Sequence, residues 1–226
     1  MGRLIAIDGV DASGKQTHAE LLYEKLKNEG IYVRKVSFPA YDKPSSALVK
    51  MYLSGEFGKT PGDVSAYAAS SFFAADRFAT FRTDWGKEYN DGAVIIADRY
   101  VSSNMIHQAS KLEDVQKAEF LDWLDSLEYE IYGLPRPDVT VFLDMPPEYG
   151  AKLMKDRDNK FSGTGEKDIH ERDYDYLLKS YENACFVAEK YNWQKISCVR
   201  GGEVRTIEEI NDELYKIVKN ITGDVQ

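Results

Sequence analysis

The chain has 226 residues, 43% of which are hydrophobic, and a formal net charge of −9 at pH 7. This length and apolar content predict a single α/β domain spanning residues 1–226, with a sizeable core. The acidic balance argues against nucleic acid or an anionic membrane as a partner, so any positive potential for phosphate groups must be local.

Cysteine usage and hydropathy bear on the cellular compartment. Cys185 and Cys198 cannot form a disulfide framework, and both fall in stretches that predict small core residues in a reducing compartment. No apolar run approaches the roughly 18 residues that a membrane span requires. The first residues lead directly into a predicted strand, so we expect no signal peptide. Together these features predict a cytoplasmic protein.

Apolar runs bounded by turn residues predict β-strands, and amphipathic stretches between them predict helices. The predicted strands are residues 4–7, 31–38, 93–97, 139–143 and 195–199. The predicted helices are residues 17–29, 45–53, 63–84, 103–110, 113–131, 146–155, 168–191 and 206–218. Solidly apolar strands that alternate with helices indicate a parallel sheet covered on both faces. The polar, glycine-containing residues 156–167 predict a short mobile lid.

Residue types also predict how two of these helices begin and pack. Asp63 is expected to cap the start of the helix at 63–84. The helix at 113–131 has an apolar stripe that is expected to face the core. This stripe consists of Phe120, Leu124, Leu127 and Ile131.

The segment GVDASGKQT stands between the first predicted strand and the first predicted helix. Its glycines allow a tight turn, and its backbone N–H groups and the helix N-terminus attract anions. Lys15 adds a mobile positive charge. Strand, glycine loop and helix in this order predict a phosphate-binding loop for ATP. The expected ATP-binding residues are Gly9, Val10, Asp11, Ala12, Ser13, Gly14, Lys15, Gln16 and Thr17.

Gln16 departs from the usual pattern of such loops. A serine or threonine normally stands at this position and places its hydroxyl on magnesium. In this chain Thr17 carries the hydroxyl one residue later. Nucleotide binding is still predicted, but the coordination of Mg²⁺ stays open.

Two aspartates follow predicted apolar strands, in the position of a magnesium-binding aspartate. These are Asp98 and Asp144, and periodicity does not choose between them. Because ligands bind at the carboxyl ends of parallel strands, either one could face the loop. Arg99 favours Asp98, since an arginine fork can hold a second phosphate. The simpler interpretation is a surface ion pair at the end of a strand.

Phe73 and Arg77 are four residues apart in the predicted long helix and therefore share a face. An aromatic ring beside a guanidinium can stack on a base and hydrogen-bond its edge. Phe72 is expected in the core with Ala68, Ala75 and Ala79, which leaves Phe73 for a pocket. Alternatively, both phenylalanines belong to the core.

Together these motifs resemble the thymidylate kinases, the dTMP kinase branch of the nucleoside monophosphate kinases. The resemblance runs from residue 4 to residue 173. Its motifs are the phosphate loop with Asp11, Phe38-Pro39, Phe73 with Arg77, Asp98-Arg99-Tyr100, Ser103-Asn104 and residues 133–138. The resemblance implies a P-loop kinase fold, transfer of a phosphoryl group from ATP to dTMP with Mg²⁺, and a homodimer that pairs through helices.

The resemblance also implies roles for individual residues. Phe73 matches the residue that stacks on thymine, Arg77 the one that bonds its O4 atom, and Asn104 a polar residue at its N3 edge. Arg99 matches the arginine that holds the dTMP phosphate. Asp11 matches a carboxylate near that arginine, the sugar hydroxyl and the metal.

The remaining positions face the sugar, the metal or the transferring group. Phe38 and Tyr41 match residues on the deoxyribose side, and His107 stands where a tyrosine often lies beside the sugar. Glu171 matches an acidic residue that faces the metal or the sugar. Arg157 lies in the lid, whose arginines in bacterial members reach the transferring phosphate.

The expected dTMP-binding residues are Asp11, Phe38, Tyr41, Phe73, Arg77, Arg99, Ser103, Asn104, His107 and Glu171. The expected catalytic residues are Asp11, Lys15, Arg99 and Arg157, and the candidate Mg²⁺ ligands are Asp11 and Glu171. One alternative is a monophosphate kinase acting on dUMP, CMP or dGMP. Another is a nucleotide-dependent switch or ATPase without a small acceptor, which would leave Phe73, Arg77 and Arg99 unexplained.

Overall fold

The computed structural model describes residues 1–154 and 174–223. Its centre is a five-stranded parallel sheet with the strand order β2-β3-β1-β4-β5, which confirms the predicted fold class. The strands are β1 (Arg3–Asp8), β2 (Val33–Ser37), β3 (Val94–Asp98), β4 (Val139–Asp144) and β5 (Gln194–Ser197). A short antiparallel ribbon follows, made of β6 (Val199–Arg200) and β7 (Glu203–Val204). The lid predicted at 156–167 lies outside the described residues.

Helices connect the strands and cover both faces of the sheet. The helices are α1 (Lys15–Asn28), α2 (Ala47–Leu53), α3 (Ala66–Thr80), α4 (Gly86–Asn90), α5 (Val101–His107), α6 (Asp114–Asp125), α7 (Pro147–Met154), α8 (Tyr174–Lys190) and α9 (Ile207–Thr222). Single turns of 3₁₀-helix span Pro44–Ser46, Pro61–Asp63 and Ala109–Lys111. Wider π-helical turns span Phe81–Trp85 and Ser126–Ile131.

Alternation along β1 separates two apolar layers, because successive side chains of a strand point to opposite faces of the sheet. Ile5 packs with Leu22 of α1 and Leu214 of α9 on one face. Leu4 packs with Phe120 of α6 on the other face. All of these side chains are fully buried. The two layers hold β1 and β3 side by side, so their carboxyl ends open at one edge of the sheet.

The start and the buried face of α3 differ from prediction. Ser65 caps the helix, since its hydroxyl accepts from the Ala68 N–H at 3.2 Å. Asp63 instead closes the preceding 3₁₀ turn, where its carboxylate accepts from the Thr60 N–H at 2.9 Å. Phe72 is only partly buried. The fully buried face consists of Ala66, Ala69, Ser70, Ala74, Asp76, Arg77 and Thr80. Because polar side chains are turned inward, apolar periodicity does not mark this face.

The end of the helix predicted at 113–131 also differs. The α-helical part stops at Asp125, and a π-helical turn follows. Such a turn contains an extra residue, so it changes the direction in which later side chains point. Glu128 is therefore fully buried, whereas Ile131 is 71% exposed. The predicted apolar stripe holds only for Phe120 and Leu124.

Two expectations from composition can be compared with the structure. Cys198 is buried as expected, whereas Cys185 is only partly buried. Within residues 1–154 and 174–223, no helix has the length and apolarity needed to cross a membrane.

The close packing at the first π-helical turn generates a stability prediction. A Cβ atom at Gly86 would lie 2.2 Å from the Phe81 carbonyl oxygen. We expect Gly86→Ala to lower the free energy of unfolding by about 1–3 kcal/mol, as overpacking does. At Gly62 the nearest atom to such a Cβ is 3.9 Å away, so Gly62→Ala is the matched control. Urea unfolding measures both, and equal losses would contradict the packing described here.

Candidate active site

The carboxyl ends of β1 and β3 open into a cavity of about 840 Å³. Residues 11–17, from the predicted phosphate loop, line one wall. Gly9 and Val10 of the same motif do not line it. The Val10 side chain packs in the core with Ile106 and Phe142, and a Cβ at Gly9 would lie 2.7 Å from the Leu143 carbonyl oxygen. These two residues therefore shape the loop from behind.

Three backbone positions around the cavity adopt the left-handed conformation. The φ angles are +64° at Ala12, +81° at Gly14 and +69° at Arg99. Glycine tolerates this region, but another residue pays of order 1 kcal/mol or more and stays there only when its surroundings enforce it. The Arg99 backbone is held by a hydrogen bond from its N–H to the Ile7 carbonyl at 3.0 Å. The strained backbone at Ala12 and Arg99 is thus concentrated where phosphates are expected.

Lys15 is buried at the start of α1. Its ammonium group donates to the Val10 carbonyl at 2.8 Å and to the Ser13 hydroxyl at 3.4 Å. Burial and the nearby Arg99 charge lower the pKa of Lys15 to about 7, despite opposing carboxylates. A buried lysine of this kind gains its charge most readily when an anion approaches.

Arg99 forms the second positive group of the cavity. Its guanidinium donates to Asp11 at 2.6 Å and contacts Ser103 Oγ at 3.4 Å and His107 Nε2 at 3.3 Å. Burial lowers the pKa of His107 to about 3, so the imidazole is neutral. Because Arg99 can only donate, Nε2 is the accepting nitrogen. Burial opposes the charge of Arg99, but the carboxylates of Asp11, Asp8 and Asp98 raise its pKa overall.

Asp8, the last residue of β1, fixes helix α5 to the phosphate loop. Its carboxylate is fully buried and accepts from the Ser102 hydroxyl at 2.7 Å and from the Ser103 hydroxyl at 2.8 Å. It also accepts from the Gly9 N–H at 2.9 Å. The strand end, the loop and α5 are therefore joined through one carboxylate.

Of the two aspartates that follow apolar strands, Asp98 faces the cavity. Its carboxylate accepts from the Ser37 hydroxyl at 3.4 Å, and both residues line the cavity. Asp144 is engaged elsewhere, with Lys195 at 2.8 Å and Tyr181 at 2.9 Å. Asp98, the aspartate that the neighbouring Arg99 favours, is therefore the one of the two that lines the cavity.

Magnesium was predicted with Asp11 and Glu171 as ligands. Glu171 lies outside the described residues, as does the predicted catalytic Arg157. Within the described part of the chain, no group of three or more His, Cys, Asp or Glu side chains could hold a metal ion. Mg²⁺ usually takes one or two carboxylates and completes its shell with phosphates and waters. Asp11, Asp98 and the Thr17 hydroxyl line the cavity with oxygen donors, so the residues fit this ion.

A smaller cavity of about 70 Å³ adjoins the large one. The two share lining residues at Asp11, Phe38, Pro39, Tyr41 and Arg99. Every predicted dTMP-binding residue that the structure describes lines this smaller cavity. These are Asp11, Phe38, Tyr41, Phe73, Arg77, Arg99, Ser103, Asn104 and His107. The structure therefore brings the predicted acceptor residues together around one space.

Arg77 reaches this small cavity from a fully buried position. It forms an ion pair with the buried carboxylate of Glu128, in which Nε donates to Oε2 at 2.8 Å and Nη2 donates to Oε1. Nη2 also donates to Asn104 Oδ1 at 3.1 Å. Although burial opposes the charge, Glu128 raises the pKa of Arg77 overall. Since Arg77 can only donate, this bond fixes the Asn104 amide with its nitrogen turned the other way.

Two side-chain atoms in the wall of the small cavity lack partners among the described residues. They are Asn104 Nδ2, a donor, and Gln108 Oε1, an acceptor. Both atoms are buried, where an unpaired polar group costs about 1–3 kcal/mol. Because Asn104 and Gln108 both line the cavity, an unpaired donor and an unpaired acceptor lie close to it.

Phe73 and the loop after β2 are held by contacts behind the cavity. Phe73 packs edge-to-face on Tyr52 with ring centroids 6.2 Å apart, and Tyr52 accepts from Lys111 at 2.8 Å. The carboxylate of Asp76 accepts from the Ala40 N–H at 2.8 Å and from the Ser45 hydroxyl at 2.5 Å. These contacts tie the aromatic wall and the loop to α3.

Three residues of the site were not among the predicted site residues. Gln108 carries a signal that could have found it, since it stands four residues after Asn104 and so shares its helical face. Asp8 directly precedes the phosphate loop. Glu128 gave no local signal, because its partner Arg77 lies 51 residues earlier in the chain.

Comparison with known proteins places this site in context. The family model for thymidylate kinase matches residues 7–203. Thymidylate kinase from Mycobacterium tuberculosis is 34% identical over 173 residues, covering 75% of this chain and 78% of that protein. Probable thymidylate kinase from Pyrococcus horikoshii is 26% identical over 219 residues, covering 97% of each. The solved structure of Candida albicans thymidylate kinase matches with a TM-score of 0.73 and 25% identity, covering 98% of this chain and 92% of that one.

The lowered pKa of Lys15 generates a prediction about pH. Above pH about 7 the free protein loses the Lys15 proton, so a triphosphate must restore it on binding. We expect the affinity for a non-hydrolysable ATP analogue to fall between pH 7 and pH 9, by up to about tenfold per unit. Lys15→Arg is the control, because a guanidinium stays charged throughout. Calorimetry measures both, and an equal pH slope in the arginine variant would contradict the assignment.

Proposed function

The chain belongs to the thymidylate kinase family, and we propose that it binds ATP and dTMP in its two adjoining cavities. It transfers a phosphoryl group from ATP to dTMP, giving ADP and dTDP. The large cavity takes the ATP phosphates, because the loop at residues 11–17, the start of α1 and Lys15 line it. The small cavity takes the base of dTMP. The main support for the second assignment is that the predicted acceptor residues line one space.

The chemistry of the small cavity complements the edge of thymine. Thymine presents the O4 acceptor beside the N3–H donor. Arg77 and the Asn104 amide nitrogen offer donors, and the Gln108 amide oxygen offers an acceptor. Phe73 supplies an aromatic face beside them. We therefore assign base recognition to these four residues.

Phosphoryl transfer needs alignment and positive charge more than covalent chemistry, because the transition state is loose. Arg99 holds and aims the dTMP phosphate, at the boundary shared by both cavities. Lys15 and the loop N–H groups hold the donor phosphates. Asp11 keeps Arg99 in place through the contact at 2.6 Å.

Mg²⁺ is proposed to accompany ATP. Asp11 is its proposed protein ligand among the described residues, with Asp98 and Thr17 nearby, and Glu171 is proposed from the family resemblance. When bound, the ion neutralises negative charge on the donor phosphates. Because Gln16 has no hydroxyl, phosphates and waters are expected to complete the shell.

Four further proposals rest on the sequence. Arg157 is proposed to meet the charge of the transferring phosphoryl group, because an arginine fork can span two phosphate oxygens. A homodimer and a cytoplasmic location follow from the family resemblance and from the composition. The whole chain is proposed to act as one catalytic domain.

The base-recognition proposal predicts a ranking of acceptors. We expect dTMP to be phosphorylated best, and dUMP to have a kcat/KM lower by about 10–200-fold, because it lacks one methyl group. For dCMP we expect kcat/KM to be lower by at least about a thousandfold. Its 4-amino group is a donor where thymine has the O4 acceptor, so it would face the donors of Arg77 and Asn104. A coupled ADP-release assay with this panel measures the ranking. Comparable kcat/KM values for dTMP and dCMP would contradict the assignment of base recognition. Full ADP release without any monophosphate would instead favour an ATPase.

A further inference from the structure

Glu128 is a charged residue in the interior of the protein, at a position that the predicted apolar stripe of its helix does not include. It follows Leu124 by one helical turn and, like Leu124, is fully buried. The π-helical turn Ser126–Ile131 directs its carboxylate inward. Glutamate is rarely buried without a partner, and π-helical turns occur frequently at functional sites.

The partner of Glu128 is Arg77, which is 1% exposed. Glu128 takes one edge of the guanidinium, the edge formed by Nε and Nη2. Nη2 also donates to Asn104 Oδ1 at 3.1 Å, and Nη1 donates to the Tyr100 carbonyl at 3.4 Å. These bonds use four of the five N–H groups of arginine. Among the described residues one N–H on Nη1 has no partner, and Arg77 lines the small cavity.

Stability alone gives a weak reason for this arrangement. A buried ion pair seldom stabilises a fold more than well-packed apolar residues would, because both charges must leave water. What the pair does provide is direction. A guanidinium held along one edge by a bidentate carboxylate cannot rotate, so its remaining N–H has a fixed direction.

We propose that Glu128 is a positioning residue for base discrimination, which acts by holding Arg77 so that its free N–H meets the O4 atom of thymine. This inference rests on the proposed assignment of the small cavity to the base. Glu128 itself does not line that cavity. Glu128 affects specificity only indirectly, because it orients Arg77 and Arg77 in turn orients Asn104.

The same network accounts for rejection of a 4-amino base. While Arg77 donates to Asn104 Oδ1, the Asn104 amide turns its nitrogen away from Arg77, so both side chains offer donors. Without the two hydrogen bonds to Glu128, the guanidinium of Arg77 can rotate and lose its hydrogen bond to Asn104. The freed amide can then turn its oxygen to the cavity and accept from an amino group. Losing Glu128 should therefore relax specificity as well as weaken binding.

The test compares Glu128→Gln with Glu128→Asp. Glutamine keeps the size of the side chain but removes its charge. Its amide NH₂ group, a donor, would also replace one of the two oxygens that accept from Arg77. Aspartate keeps the charge but withdraws it by one carbon. The matched control is Asp125→Asn, in the last turn of α6, where Asp125 holds Arg136 through two bonds of 2.6 Å. Neither Asp125 nor Arg136 lines the small cavity.

The readout is kcat and KM for dTMP and dCMP, with thermal unfolding alongside. For Glu128→Gln we expect the KM for dTMP to rise at least about tenfold while kcat stays within about threefold, as loss of ground-state binding requires. The ratio of kcat/KM for dTMP over dCMP should fall at least about tenfold, and in Glu128→Asp by about threefold. Asp125→Asn should keep the wild-type ratio.

The outcomes separate the two claims. If the wild-type enzyme itself accepts dCMP as well as dTMP, the assignment of the small cavity fails. If the wild type discriminates and a folded Glu128→Gln variant keeps the full ratio with only a lower unfolding temperature, Glu128 is merely structural. If Glu128→Gln does not fold, Glu128→Asp decides: an unchanged ratio overturns the inference, and a reduced ratio supports it.

Discussion

The site depends on the mutual compensation of charges buried where β1 and β3 end. Lys15 and Arg99 bring positive charge, and Asp8, Asp11 and Asp98 bring negative charge. An unpaired charge in such a place would cost several kcal/mol, so the carboxylates hold the cations in position when no phosphate is present. Burial is the main reason why the pKa of Lys15 lies near 7 despite these neighbours. A bound phosphate would therefore stabilise the charged form of Lys15.

Helix α5 joins the two halves of the site. Ser102 and Ser103 bind the carboxylate of Asp8 at the strand end, while Asn104 receives a hydrogen bond from Arg77. His107, one turn later, accepts from Arg99. A single helix of seven residues thus contacts both the strand that carries the phosphate loop and the wall of the small cavity. This arrangement sets the acceptor against the donor, and such alignment can supply a large part of the rate enhancement.

The sequence predicted those parts of the molecule that depend on local pattern. Five apolar runs became the five strands, and the glycine loop lies between β1 and α1 as expected. The acceptor residues came from the family resemblance, because no local rule brings Phe73 and His107 to one cavity. Prediction failed where tertiary partners decide burial. Glu128 and Arg77 are buried because they pair across 51 residues, and the predicted apolar stripes of their helices include neither of them.

The central claim is a division of labour, in which Lys15 serves the donor phosphates and Arg99 the acceptor phosphate. Calorimetric titration of Lys15→Ala and Arg99→Ala with dTMP and with a non-hydrolysable ATP analogue tests it most directly. The account predicts that Arg99→Ala weakens dTMP binding at least about tenfold, the cost of a lost charged hydrogen bond, and leaves the analogue nearly unaffected. Lys15→Ala should do the reverse. Loss of the same ligand in both variants would contradict the account.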